Sequence, residues 1–267
     1  MTDATDPSVP GSAPNFARSR RWTILRAIAV VVAVVLVVAV GLFAWWVQPQ
    51  PLLPEATAAL SSTPGATFTN TDGRLTYTST AAPPSVGLVL YPGAKVPPAA
   101  YAPAARAIAE AGFLVVVVPM PLNLAVFDIG AARSVIEAHP EIHTWAVGGH
   151  SLGGAMAAQF IGDHPGSVDG LVLWAAYSAV DLASQGLRVA NVYGSLDAGV
   201  PSYSSPANLA KLGPAVTTTV IEGGNHEQMG WYTGQPNDPP ATIPRADQQA
   251  QLVAATVSLL RTLADAT

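Results

Sequence analysis

The sequence predicts an α/β architecture, a mostly parallel sheet flanked by helices, preceded by one N-terminal transmembrane helix. Three observations carry this expectation. Residues 27–47 form an uncharged run dominated by Val and Ala. From residue 86 onward, short apolar runs alternate with helical stretches, the pattern of strand–helix units that build a parallel sheet. The run 113–118 holds four consecutive valines, as expected of a strand buried on both faces.

Composition narrows the function classes. Of 267 residues, 50% are hydrophobic and only 11% charged, too apolar for disorder and too charge-poor for an ordinary soluble protein. Twelve basic residues against 17 acids give a net charge of −5, which argues against nucleic-acid binding through a basic surface. Cysteine is absent, so disulfides, thiolate metal sites and a cysteine nucleophile are excluded.

Residues 1–23 read as a cytoplasmic disordered tail, polar to residue 15 and then basic, with Arg18, Arg20 and Arg21, and Arg26 just beyond. Residues 24–47 read as the transmembrane helix. The 21 uncharged residues from Ala27 span about 30 Å, the thickness of a bilayer core. Arginines ahead of the span place the N-terminus in the cytoplasm, with Trp45 and Trp46 at the far interface and the rest of the chain outside. The alternative is a cleaved signal peptide and a secreted domain. Against it, the apolar run exceeds a typical signal, and the nearest small-x-small site, Ala56-Thr57-Ala58, lies well past its end. Residues 48–65, with four prolines, read as a semi-extended linker.

Residues 66–267 read as one domain. Runs 66–71 and 74–78 flank Asp72-Gly73, a hairpin turn signal. Strands are expected at 86–91, 113–118, 144–147, 171–174, 189–193 and 217–221. Helices are expected at 99–111, 129–138, 153–162, 206–212 and 246–264. Only 14 residues, 175–188, separate two of these strands, too few for a cap domain.

In such a sheet, functional groups gather at the carboxyl ends of the strands. After the strand 144–147 comes Gly149-His150-Ser151-Leu152-Gly153, a Gly-x-Ser-x-Gly nucleophile elbow between strand and helix. A side chain at Gly149 or Gly153 is expected to collide with neighbouring elements. The pattern of a phosphate-binding loop is missing. Ser151 needs a base. Of five histidines, only His226 follows a strand end on a free loop, Gly223-Gly224-Asn225-His226, whereas His139, His143 and His164 sit at the wrong ends of their elements. His150 adjoins the serine as a wall of the site. Asp197, after the strand 189–193, is the acid that orients the imidazole; Asp181 is a rival, and Asp169 lies at the wrong end. The oxyanion is expected to meet the amide of Leu152 and that of Ala94 or Gly93, because Pro92 has no N–H to give. Residues 122–127, Tyr177, Met229 and Trp231 are candidate walls around an apolar substrate.

Tyr91-Pro92-Gly93-Ala94, Gly149-His150-Ser151-Leu152-Gly153-Gly154, Gly194-Ser195-Leu196-Asp197 and Gly224-Asn225-His226 together resemble the α/β-hydrolase superfamily over residues 75–267, closest to its small, lidless dienelactone-hydrolase-like members. The resemblance implies a Ser-His-Asp triad that hydrolyses carboxylic esters or related acyl bonds of a small molecule, without cofactor or metal. Dienelactone hydrolases proper use cysteine, so their substrate does not carry over. Pro92-Gly93 also stands where His-Gly is usual. Thioester or amide cleavage, acyl transfer on the same triad, and a non-catalytic binding module are the alternatives. The sequence leaves the oligomeric state open.

Overall fold

The computed structural model describes residues 16–266, and its first element, α1 (Phe16–Trp46), is one uninterrupted helix. Within it, Trp22–Trp46 is the one stretch among the described residues that is long and apolar enough to cross a membrane. Its apolar side chains surround the helix instead of forming a stripe, as suits a helix with apolar surroundings on every side. The helix starts at Phe16 and not at 24, so Arg18, Arg20 and Arg21 belong to it; Arg is a good helix former and need not end the run. The tail expected over residues 1–15 lies outside the described residues.

The chain divides into Met1–Val47 and Gln48–Thr267. The second unit starts earlier than residue 66, because residues 50–65 are folded onto it and are not a free linker. The short helix α2 (Pro54–Ala58) and the residue after it bury Ala56 and Ala59 completely. The Tyr77 hydroxyl donates to the Ala59 carbonyl at 3.0 Å, and Leu52 bridges to Tyr232. Prolines 51, 54 and 64 shape the path, and hydrogen bonds to the domain fix it.

The sheet has eight strands: β1 (Ala66–Thr71), β2 (Arg74–Ser79), β3 (Val86–Tyr91), β4 (Leu114–Val117), β5 (Thr144–His150), β6 (Gly170–Trp174), β7 (Arg188–Gly194) and β8 (Val216–Ile221). Their order is β1-β2-β4-β3-β5-β6-β7-β8; the β1–β2 and β2–β4 pairs are antiparallel and the rest parallel. Asp72 and Gly73 turn the first hairpin at φ 53° and 82°, the conformation that an Asp-Gly pair favours.

Helices α3 (Ala102–Glu110), α4 (Ala131–Ala138), α5 (Leu152–Asp163), α6 (Val200–Tyr203), α7 (Pro206–Ala210) and α8 (Arg245–Ala264) complete the unit. One core layer forms under α3 and α8, the other under α4 and α5. Strands β3 to β6 are buried along their whole length, which is why β3, β4 and β6 are mostly Val and Leu, while β5 ends in Gly148, Gly149 and His150, where neighbouring backbone crowds it. The threonines of β8 mark an exposed edge strand. Between β6 and β7 there is only a short loop with a 3₁₀ turn, Ala183–Gln185, and no cap.

Candidate active site

Ser151 sits at the tight turn from β5 into α5 with φ 53° and ψ −122°, a strained conformation for a non-glycine residue. Such strain costs on the order of 1–3 kcal/mol and persists only where the surroundings impose it. Here they do. The Ser151 amide donates to the Trp174 carbonyl at 2.9 Å, and the glycines on either side pack against bare backbone. A Cβ on Gly149 would lie 2.3 Å from the Tyr91 carbonyl oxygen, and one on Gly153 would lie 2.2 Å from the same atom. The close approach expected of both glycines is present.

Two loops bring an acid and an imidazole to this edge. Asp197, after β7, is buried and accepts from the His226 side; Asp197 Oδ2 and His226 Nδ1 are 2.7 Å apart. Its other oxygen, Oδ1, accepts the Gly199 amide at 2.7 Å and the Tyr203 hydroxyl at 3.4 Å. The His226 ring packs at a 48° tilt against that of His150 with centroids 4.5 Å apart, so it rests on the residue that precedes Ser151. Among the described residues, no hydrogen bond joins the Ser151 hydroxyl to His226. Asp181 and Asp169 are engaged elsewhere, accepting the amides of Ala183 and Trp145 at 3.0 Å each.

The loop carrying His226 is held by side chains that the sequence alone did not single out. Asp238 accepts the amides of His226 and Glu227 at 3.1 and 2.7 Å. Gln248, from α8, holds Asn225 through both its amide and its carbonyl, at 3.0 and 2.7 Å. Arg245 pairs with Glu227 at 3.0 Å. Burial pushes the Asp238 carboxyl above the ordinary carboxylate range, and its two amide donors only partly oppose that.

Gly93, expected as the alternative to Ala94 for an oxyanion donor, does not offer its amide. The Gly93 amide donates to the Tyr101 hydroxyl at 2.9 Å and is therefore not free for a ligand. Tyr101 in turn meets His150 Nδ1 at 2.9 Å. Burial pushes the Tyr101 phenol up and the His150 imidazole well below its ordinary range, so the neutral phenol has a neutral imidazole as its partner. Gly93 thus anchors the loop, leaving Ala94 beside it and Leu152, which opens α5, as the candidate donors.

The wall residues divide in the same way. A cavity of about 410 Å³ opens beside Ser151, lined by Leu152, Ala155, Met156, Ala175, Ala176, Tyr177, Ala179 and Tyr203. Tyr177 thus lines the cavity beside Ser151. Met229 does not, because it is fully buried in the core under α8. Trp231 lines a separate groove of about 600 Å³ between α3 and α8. His150 and residues 122–127 line no part of the Ser151 cavity. Met156 and the alanines were missed because small apolar residues on α5 and after β6 look like ordinary core until the strand ends are seen together.

A family model described as the alpha/beta hydrolase family matches residues 87–250 of this chain. No curated protein matches it. Among solved structures, the chain is similar to the crystal structure of a "predicted CIB-like hydrolase" from Thermoplasma acidophilum, with a TM-score of 0.53 and 18% identity over 74% of this chain and 98% of that one. At that identity the likeness speaks for the fold.

Proposed function

The chain belongs to the alpha/beta hydrolase family, and from that premise we propose that it is a membrane-anchored serine hydrolase that cleaves carboxylic esters through Ser151, His226 and Asp197. The observation that carries the reading is the buried 2.7 Å contact of Asp197 with His226 Nδ1, at the strand edge where Ser151 is held at positive φ. With Nδ1 engaged by the carboxylate, Nε2 is left as the basic nitrogen. It takes the Ser151 proton as Oγ attacks the acyl carbon, and Asp197 stabilises the imidazolium that forms. The oxyanion is met by the Leu152 and Ala94 amides, the first aided by the N-terminal dipole of α5. The C–O bond then breaks and His226 returns the proton to the leaving alcohol. Water, deprotonated by the same imidazole, attacks the acyl-enzyme and releases the acid.

Among the described residues, no charged side chain lines the cavity beside Ser151, which supports an uncharged, apolar acyl group. Ala155→Leu, on a half-buried position of α5 facing that cavity, is expected to lower kcat/KM for octanoyl esters by about ten-fold while sparing acetyl esters. Equal losses for both chain lengths would contradict the assignment. The arginines at 18, 20, 21 and 26 support a cytoplasmic N-terminus, with the hydrolase domain on the far side.

The direct test is labelling of the full chain by a fluorophosphonate probe. Wild type is expected to label, and Ser151→Ala is not. A folded wild-type protein that fails to label would argue for a binding module instead.

Asp238 allows a pH test. Because folding raises its pKa, the native state binds that proton more readily than the unfolded chain. Its contribution to stability therefore falls as pH rises, through the window from the ordinary Asp value of about 3.9 to the raised one. The stability difference between wild type and Asp238→Ala, read from thermal melts, should shrink with rising pH across that window. With the two amides uncapped, kcat is expected to drop about ten-fold with KM little changed. A flat stability difference would refute the first expectation and an unchanged kcat the second.

A further inference from the structure

The exposed apolar side chains of the 48–267 unit are concentrated at one edge. Among its described residues, the large hydrophobics left exposed are Leu122, Val126, Phe127, Tyr177 and Val220. Four of these five lie beyond the carboxyl ends of β4 and β6, the strands that flank the β3–β5 pair leading to Ala94 and Ser151. Leu122 is also at φ 53°, an uncommon conformation for leucine, yet its side chain is 52% exposed. In water such a residue gains only part of the burial that could offset its strain.

This loop is tied to the site's own edge. The Lys95 amide, next to Ala94, donates to the Asn123 carbonyl at 2.7 Å. The chain arriving from α1 is fixed at the same place, because the Gln50 amide donates to the Lys95 carbonyl at 2.8 Å. Only Val47, Gln48 and Pro49 separate Gln50 from Trp46, the last residue of the apolar helix. Four Cα–Cα steps reach at most about 14 Å. A bilayer holding that helix is therefore within reach of this edge.

We propose that the Leu122–Val126–Phe127 rim rests on the bilayer surface, so that the Ser151 cavity opens at the lipid and takes acyl esters partitioned in the membrane. The inference deepens the esterase reading and rests on it for the substrate class. Burial of apolar side chains at the headgroup boundary drives the contact.

The full chain, reconstituted into phosphatidylcholine vesicles, is compared with a variant carrying Leu122→Asn, Val126→Ser and Phe127→Ser. These exposed positions lie outside the cavity, and Asn tolerates the left-handed φ. The variant is expected to hydrolyse vesicle-borne 4-methylumbelliferyl octanoate about ten-fold more slowly, with water-soluble 4-methylumbelliferyl butyrate within two-fold of wild type. Equal rates on both esters, or equal losses on both, would overturn the rim. A second measurement does not depend on activity. The chain has no cysteine, so Val126→Cys, and Ser167→Cys at the opposite sheet edge, can each carry one fluorophore. Brominated phosphatidylcholine should quench the dye at 126 and not at 167. Absence of quenching at 126 would refute the contact even in an active enzyme. Quenching without hydrolysis of either ester by wild type would instead retain the membrane contact and reject the esterase reading.

Discussion

Replacing Ser151 with alanine is expected to lower kcat for ester hydrolysis by at least ~10⁴-fold, because in the proposed mechanism attack, proton transfer and acyl-enzyme formation all run through its Oγ. The residue's backbone adds a second expectation. Ser151 is held at φ 53°, which alanine shares at the same steric cost and glycine escapes. Ser151→Gly should therefore be as inactive as Ser151→Ala but more stable, by about 1 kcal/mol, or roughly 3 °C in Tm for a unit of this size. Kinetics and thermal melts on the three proteins check both parts. An alanine variant retaining a tenth of the activity would move the nucleophile elsewhere. A glycine variant melting below the alanine one would remove the argument from strain.

Gly153→Ala is the largest expected effect on stability. Its Cβ would lie 2.2 Å from the Tyr91 oxygen and 2.4 Å from the Pro92 oxygen, both backbone atoms that no rotamer change can move aside. Relief requires α5 to separate from the end of β3, so a loss above about 3 kcal/mol is expected, enough to deplete soluble protein. Gly130→Ala serves as the control, since an added Cβ there meets nothing within 4 Å. It should melt within about 0.5 kcal/mol of wild type. Comparable melting of the two variants would mean that the turn is not packed as described.

Much of this was legible in the sequence. The strand at 86–91 coincides with β3, and the other parallel strands shift by at most a few residues at their ends. Doubly buried strands write themselves as unbroken apolar runs, and a hairpin turn needs residues that tolerate positive φ. The elbow was legible for the same kind of reason, since close approach of a helix to a strand end excludes side chains. Ser151, Asp197 and His226 each follow a strand of the parallel sheet, so their order along the chain already implied a common edge.

What escaped were contacts between residues distant in the chain and without local pattern. Residues 48–65 read as a linker because prolines and small polar residues look alike whether free or docked. Only Tyr77, Trp231 and Tyr232, far along the chain, give Ala59, Leu53 and Leu52 their partners. Met229 and Trp231 read as site walls because they follow His226, yet the chain turns them into the core and into the α3–α8 groove. Gly93 read as the alternative to Ala94 for an oxyanion donor, yet the Tyr101 hydroxyl, eight residues on, occupies its amide.

By itself, then, the sequence determined the fold class, the apolar helix and the residue types assembled at the strand ends, because periodicity, turn chemistry and close packing are local demands on the chain. The tertiary structure alone decided which amides are free, which side chains line the cavity and which apolar residues stay exposed. Those depend on partners brought together by folding, and no local pattern encodes them.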